Sequence, residues 1–355
     1  MKIGILTFQR ADNYGAMLQC YALQEYLKGA GHEVEVIDYR NYNLEKDHEV
    51  KFNASKWVTF LLEGHLRSFV MYFKNLSRGR YRRQLFTQFR EKYLSLSDSV
   101  SGDRIPTYYD RIIIGSDQMW TIGCYKKYDP IYWGQFPHDS QCKVYGYAIS
   151  SKADFLMHLS LEQLRLIVNS FDGLSFREQK IADLMECITR KTYPVTADPT
   201  LLSKADMWEP LIDERWANRN YVVIYYVRGE VKSIMNDAYT YAKTHHCDVV
   251  NLSSKSYSVE DFVSAIKYSK AVFTSSFHAT VFSIIFNRPL NSYCLHDGND
   301  DRYSSLLKQL GLESNLIDYG SPYHEPSIRE KEYIENRMED YRKNSLEFIN
   351  SILKH

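Results

Sequence analysis

The alternation of short apolar runs with helical repeats limits this chain more than any other feature. Residues 2–8 form an apolar run with β character. After a polar loop, Leu18, Ala22, Leu23 and Tyr26 recur at helical spacing over residues 16–28, and Gly29 and Gly31 stop that helix. Residues 33–39 then alternate as a strand does. A strand, a helix and a second strand in this order build a parallel sheet, with loop 9–15 at its ligand edge. Residues 55–93 read as helical, and 111–115, 144–149 and 174–176 as further buried strands. A stretch rich in turn formers, charge and Trp comes next at 203–220. The rhythm then restarts: strand 221–227, helix 231–246, strand 249–252, helix 259–269 with Ser258 as N-cap and Asp261 at its third position, strand 271–274 and helix 279–286. A strand near 290–295 and a polar helix over 327–353 complete the pattern.

At 355 residues the chain exceeds the ~100–200 that one core usually organises, so two domains are expected. The pattern predicts an α/β protein of two Rossmann-like domains facing across a cleft. Their expected limits are residues 1–202, a linker at 203–220, a second domain at 221–325, and a C-terminal helix at 326–355. No internal sequence repeat or low-complexity segment accompanies this doubling.

Charge excludes one class of partner. Lys plus Arg and Asp plus Glu stand at 44 each, without the basic excess of a nucleic-acid binder, so any anion site is local. The 29 tyrosines suit surfaces that stack on and hydrogen-bond to sugars, and they also fill strands. Six isolated cysteines form no pair or Cys/His grouping at zinc-ligand spacing, which fits reduced thiols in a cytoplasm. The first residues turn polar at Thr7, too soon for a signal peptide, and no run approaches a membrane span. Residues 65–92 interleave arginines and lysines with aromatic side chains. A helix pair lying on a membrane would look like this, as would a solvated pair packing its aromatics inward.

Neither half carries a glycine-rich phosphate loop, so dinucleotide redox and P-loop chemistry lose their usual cradle. A helix N-terminus can hold an anion instead. The segment Ser275-Ser276-Phe277-His278 stands where an apolar strand gives way to an apolar helix, at the edge where open α/β sheets bind ligands. A histidine there can exchange a proton near neutral pH, although a Ser and His pair can also merely cap a helix. Ser116-Asp117-Gln118 ends another apolar strand and places a carboxylate near an acceptor hydroxyl, and a turn explains it as well. Asn13 and Tyr14 could bind a sugar, with Gln19 one turn further on, or could simply form a turn. Arg177 comes directly after the 174–176 strand with a fork suited to carboxylate or phosphate, or to a surface pair. Asp198-Pro199 reads as a turn with a structural role.

In this order the segments resemble the polysaccharide pyruvyl transferase family. The likeness rests on Asn13-Tyr14-Gly15-Ala16-Met17-Leu18-Gln19, Gly115-Ser116-Asp117-Gln118-Met119-Trp120, Tyr147-Ala148-Ile149-Ser150, Ser175-Phe176-Arg177-Glu178, Asp198-Pro199-Thr200-Leu201-Leu202 and Ser276-Phe277-His278-Ala279-Thr280. The resemblance implies a GT-B-like fold and transfer of the pyruvyl group of phosphoenolpyruvate to two hydroxyls of a sugar or lipid-linked glycan, without metal or organic cofactor. It implies His278 as general acid, Asp117 as the acceptor-side carboxylate and Arg177 as an anion-binding residue. Ser275, Ser276 and Phe277 would join the donor side, and Asn13, Tyr14, Gln19, Ser116, Gln118 and Ser150 the acceptor side. Many members carry an arginine two residues before this histidine, where this chain has Ser276. The donor anion would then depend on Arg177, helix amides, and Arg228 or Arg288. A nucleotide-sugar glycosyltransferase and a non-catalytic protein of polysaccharide assembly are the alternatives.

Overall fold

The computed structural model describes residues 1–41, 66–121, 129–151, 156–227, 231–296 and 300–354. The N-terminal domain contains β1 (Lys2–Leu6), α1 (Tyr14–Gly29), β2 (Glu33–Val36), α2 (Leu66–Tyr93), β3 (Arg111–Gly115), β4 (Lys143–Ile149), α3 (Leu161–Asn169), β5 (Gly173–Phe176) and α4 (Gln179–Thr189). The C-terminal domain contains β6 (Tyr221–Tyr225), α5 (Lys232–Thr244), β7 (Asp248–Asn251), α6 (Val259–Tyr268), β8 (Val272–Thr274), α7 (Phe277–Ile285), β9 (Leu290–Cys294), α8 (Asp301–Gln309) and β10 (Leu316–Asp318), and α9 (Lys331–Leu353) ends the order.

Each domain is built on a parallel five-stranded sheet, in the orders β2-β1-β3-β4-β5 and β10-β9-β8-β6-β7. Reversed, the second order repeats the first strand for strand, although the sequence carries no matching repeat. Apolar runs explain this, because a parallel strand covered on both faces needs only buried side chains and a helical return. β3 and β6 are buried along their whole length. The two Rossmann-like domains expected from the sequence are thus present.

Several elements differ from the sequence reading. The basic stretch forms one 28-residue helix, α2, instead of a pair, and residues 55–65 of the expected helix lie outside the described residues. Segment 203–220 is packed, because its 3₁₀ turns Ala205–Leu211 and Glu214–Trp216 carry Trp208 and Trp216 into the core. The short elements α8 and β10 had no periodic signal long enough to announce them. Ser258 and Asp261 do form the expected reciprocal cap of α6, which removes two otherwise unpaired amides.

Aromatic packing and α9 join the domains. Tyr14 stacks on Phe262 of α6 with centroids 4.5 Å apart, a contact of about 0.5–1.5 kcal/mol beyond its buried area. In α9, Ile334 and Met338 pack with Tyr303 and Leu306, while Phe348 faces Tyr147 and Ser345 accepts a 2.7 Å hydrogen bond from the Ala197 amide. Among the described residues no helix is long and apolar enough to cross a membrane.

Candidate active site

Strand order alone locates the site. In each sheet the chain turns outward in opposite directions from two neighbouring strands, β1 and β3 in one and β6 and β8 in the other. Such switch points leave a crevice outside the carboxyl ends of the strands, where ligands of open α/β sheets bind. A cavity of about 140 Å³ is walled by the segments that leave all four strands: Asn13 and Gly15 after β1, Asp117 and Gln118 after β3, Val227 after β6, and Ser275 to His278 after β8. The two switch points therefore face one another across the cleft.

His278, the second residue of α7, crosses that cleft. A Cβ on Gly15 would stand 2.1 Å from His278 Nδ1, so the imidazole lies directly on the backbone of the opposite domain and a side chain at position 15 would force the ring or the loop to move. The other ring nitrogen, Nε2, is enclosed without a hydrogen-bond partner and sits 3.7 Å from Asp198 Oδ2. That separation is an electrostatic contact, longer than a hydrogen bond.

Asp198 is fully buried and joins His278 to Arg177. Its Oδ2 accepts from Arg177 Nη1 at 2.7 Å, and its Oδ1 accepts from the Thr200 amide and hydroxyl at 3.0 and 2.7 Å. Burial opposes ionisation, but His278, Arg177 and Thr200 outweigh it and hold this carboxyl well below the usual range. Burial likewise opposes the Arg177 charge, and Glu178 with Asp198 outweigh it, keeping the guanidinium protonated. One arm of the fork, Nη2, is buried without a hydrogen-bond partner. Its face lies 5.1 Å from the centre of the Phe277 ring.

On the N-terminal side the structure divides the expected acceptor residues. Asn13, Asp117 and Gln118 reach the cavity. Asn13 also caps α1 through Oδ1, accepting from the Gly15 amide at 2.8 Å, so its cap and cavity positions coincide. Gln19 does not: it is fully buried, its amide donates to Thr7 Oγ1 and the Ala16 carbonyl, and its oxygen accepts from the Ser116 amide at 3.0 Å. Ser116 and Ser150 are equally buried, the first beside Asp198 and the second donating to Glu178 Oε1 at 2.7 Å. These three are supports of the site, because their polar atoms are already engaged. Tyr14 borders the cavity, yet its ring is stacked on Phe262 and its hydroxyl donates to the Tyr257 carbonyl at 2.9 Å, so it joins domains and offers no open face to a sugar. The turn at Gly115 is close-packed, since a Cβ there would lie 2.0 Å from the Tyr147 carbonyl oxygen.

On the C-terminal side Ser275, Ser276, Phe277 and His278 all line the cavity, and Ser275 Oγ is buried without a hydrogen-bond partner. Arg288 is not among them. It lies past the far end of α7 and precedes β9, which places it at the amino edge of the sheet, opposite the cavity. Arg228 lies outside the described residues. A second cavity of about 550 Å³ shares Gln118, Phe277 and Arg302 with the first and adds Arg177, Lys180 and Lys308.

Two site residues escaped the sequence reading. Asp198 was hidden in a turn-like Asp-Pro, and its partners His278 and Arg177 come from distant segments. Arg302, at the start of α8, lines both cavities, and a lone arginine in a short amphipathic helix carries no signal. Metal-ligand chemistry gathers elsewhere among the described residues, at Cys294, His296 and Asp318, whose ligand atoms lie within 4.8 Å of one another, and none of which lines either cavity.

No curated protein matches. Among solved structures, a candidate UDP-N-acetylglucosamine 2-epimerase from Listeria monocytogenes aligns over 97% of this chain and 89% of that one, with a TM-score of 0.48 at 10% identity. UDP-GlcNAc 2-epimerase from Neisseria meningitidis, bound to UDP-GlcNAc, covers 98% and 100%, with a TM-score of 0.43 at 11% identity. Heptosyltransferase WaaC of E. coli with ADP covers 96% and 100%, with a TM-score of 0.36 at 10% identity. At these values the likenesses carry no argument about ligand or reaction. The model of the polysaccharide pyruvyl transferase family, in contrast, matches residues 13–291, from the cap of α1 into β9 and across both walls of the cavity. This chain belongs to the polysaccharide pyruvyl transferase family and is a transferase.

Proposed function

We propose that this enzyme moves the pyruvyl group of phosphoenolpyruvate onto two hydroxyls of a sugar in a surface polysaccharide or its precursor. The observation that carries the reading is His278, set against the opposite domain at Gly15 and facing the buried, ionised Asp198. Asp198 faces the imidazole from the Nε2 side, which leaves Nδ1 as the nitrogen that exchanges a proton with the substrate.

In this reading the reaction uses the residues of the cleft. Protonation of the enol methylene carbon by His278 makes the neighbouring carbon cationic, and the first sugar hydroxyl oxygen adds to it. The carbon–oxygen bond to phosphate breaks, and the second hydroxyl closes the ketal. Of the two hydroxyl protons, one replaces that given to the new methyl group and the other leaves with phosphate. Asp117, with Asn13 and Gln118, holds the acceptor. Arg177 Nη2, Arg302, Ser275 and the first amides of α7 receive the carboxylate and phosphate. Arg302 here supplies a cation in the absence of an arginine at position 276.

A phosphate-release assay tests this reading. Release should require both phosphoenolpyruvate and a glycan acceptor, and His278→Ala should lower it by about 10²–10⁴-fold with the fold retained. Normal turnover in that variant would remove His278 from the chemistry. Thermal shifts separate the donors, since a ligand that binds the native state raises the melting temperature. A shift with a nucleotide sugar and none with phosphoenolpyruvate would favour glycosyl transfer.

A further inference from the structure

We infer that the exposed face of α2 docks on an anionic lipid bilayer. The two halves of this helix are built for different surroundings. Its later half enters the body: Phe86, Phe89 and Arg90 are buried, and Arg90 pairs with Asp12 at 3.0 Å. Over residues 70–81, in contrast, large apolar side chains face outward, with Val70 56%, Met71 55%, Phe73 39% and Tyr81 53% exposed. Val70, Phe73 and Tyr81 share one face, since Phe73 lies three residues from Val70 and Tyr81 eleven, which is about three turns. Lys74, Arg78 and Arg80 are exposed beside them.

Charge selects the occupant. The whole chain is balanced at 44 basic and 44 acidic residues, yet α2 carries eight basic residues against the one acid Glu91. Cations flanking an apolar strip match a bilayer interface, where the charges meet anionic headgroups and the apolar groups enter the acyl boundary. The same helix reaches the cleft. Arg82 donates to the Asp12 carbonyl at 3.1 Å and lies over the Tyr14 ring, so a docked α2 brings the Asn13 loop toward the membrane. A sugar carried on a lipid would then meet the site without leaving the bilayer.

Co-sedimentation of the full chain with vesicles of phosphatidylcholine, alone or mixed with phosphatidylglycerol, tests the inference. Binding is expected only to the mixed vesicles, and it should fall as salt is added. Replacing Lys74, Arg78 and Arg80 together by Gln should lower partitioning on the order of 100-fold, with an unchanged melting temperature. Replacing Val70, Met71 and Phe73 by Ser should also weaken it. Inorganic phosphate should not displace the protein; displacement would identify a free-phosphate site and overturn the inference. So would equal sedimentation with and without mixed vesicles, or a concentration-dependent dimer that the Ser variant dissolves.

Discussion

The switch point between β1 and β3 and the one between β6 and β8 have the same strand order, but they treat their polar groups differently. Around the first, Asn13, Gln19 and Ser116 commit their side chains to holding loops: a helix cap, a link to Thr7 and the Ser116 amide, and a contact with Asp198. Around the second, Ser275 Oγ and His278 Nε2 are enclosed and unpaired. A buried polar atom without a partner costs about 1–3 kcal/mol, and both residues that carry one here line the cavity. Asn13, Gln19 and Ser116 are thus engaged within the protein, whereas Ser275 and His278 keep a polar atom open beside the cavity.

Asp198 is where the two walls meet electrically, and its loss should break the comparison most severely. Asp198→Asn leaves the Arg177 charge buried beside a neutral amide and should cost about 3–5 kcal/mol in denaturant unfolding, together with most of the activity. An unchanged unfolding midpoint would show that the two walls are independent. The linkage has a definite sign. The folded-state pKa of Asp198 is depressed, so its contribution is fully present above the unfolded value of about 3.9 and is lost as pH falls further. The gap between wild type and variant should therefore hold from neutral pH to about pH 4 and narrow only below it.

Gly15→Ala probes the contact between the walls. The added methyl group cannot share space with His278, so either the ring or the domain must move. The expected outcome is about 1–3 kcal/mol of lost stability and turnover lower on the order of 100-fold, read as a fall in kcat. A variant with wild-type kcat would mean that His278 works from another position.

Ser275→Ala should do least to the fold and most to sharpen the contrast. Removing a hydroxyl that bonds to nothing in the protein should leave stability within about 0.5 kcal/mol of wild type, while the donor KM rises by about five-fold, equivalent to one hydrogen bond. A clear loss of stability with unchanged KM would place the hydroxyl in the scaffold instead.

Legibility in the sequence depends on the range of the interaction concerned. Strands such as 111–115 and the cap formed by Ser258 and Asp261 are local patterns, and they were readable as such. His278 was readable by position, because the junction of an apolar strand and an apolar helix marks a sheet edge. Several departures from the local reading come from a partner far along the chain. Tyr14 looks like a sugar platform until Phe262 covers its ring, and Gln19 looks available until the Ser116 amide takes its oxygen. Asp198 looks like a turn until Arg177 and His278 converge on one of its oxygens. Arg288 failed for a geometric reason: α7 runs from the carboxyl edge to the amino edge, so a residue only ten positions after His278 ends on the wrong side of the sheet.

The clasp formed by α9 bears on how the molecule is made. Domains fold as units in the order in which they leave the ribosome. Because α9 comes after both sheets in the chain, the first domain must hold its β4 and β5 edge, and the second its α8 layer, before the helix that covers Ala197, Tyr147 and Leu306 arrives. Arg177 and Thr200, the hydrogen-bond partners of Asp198, belong to the first domain, while His278 joins them from a later segment of the chain.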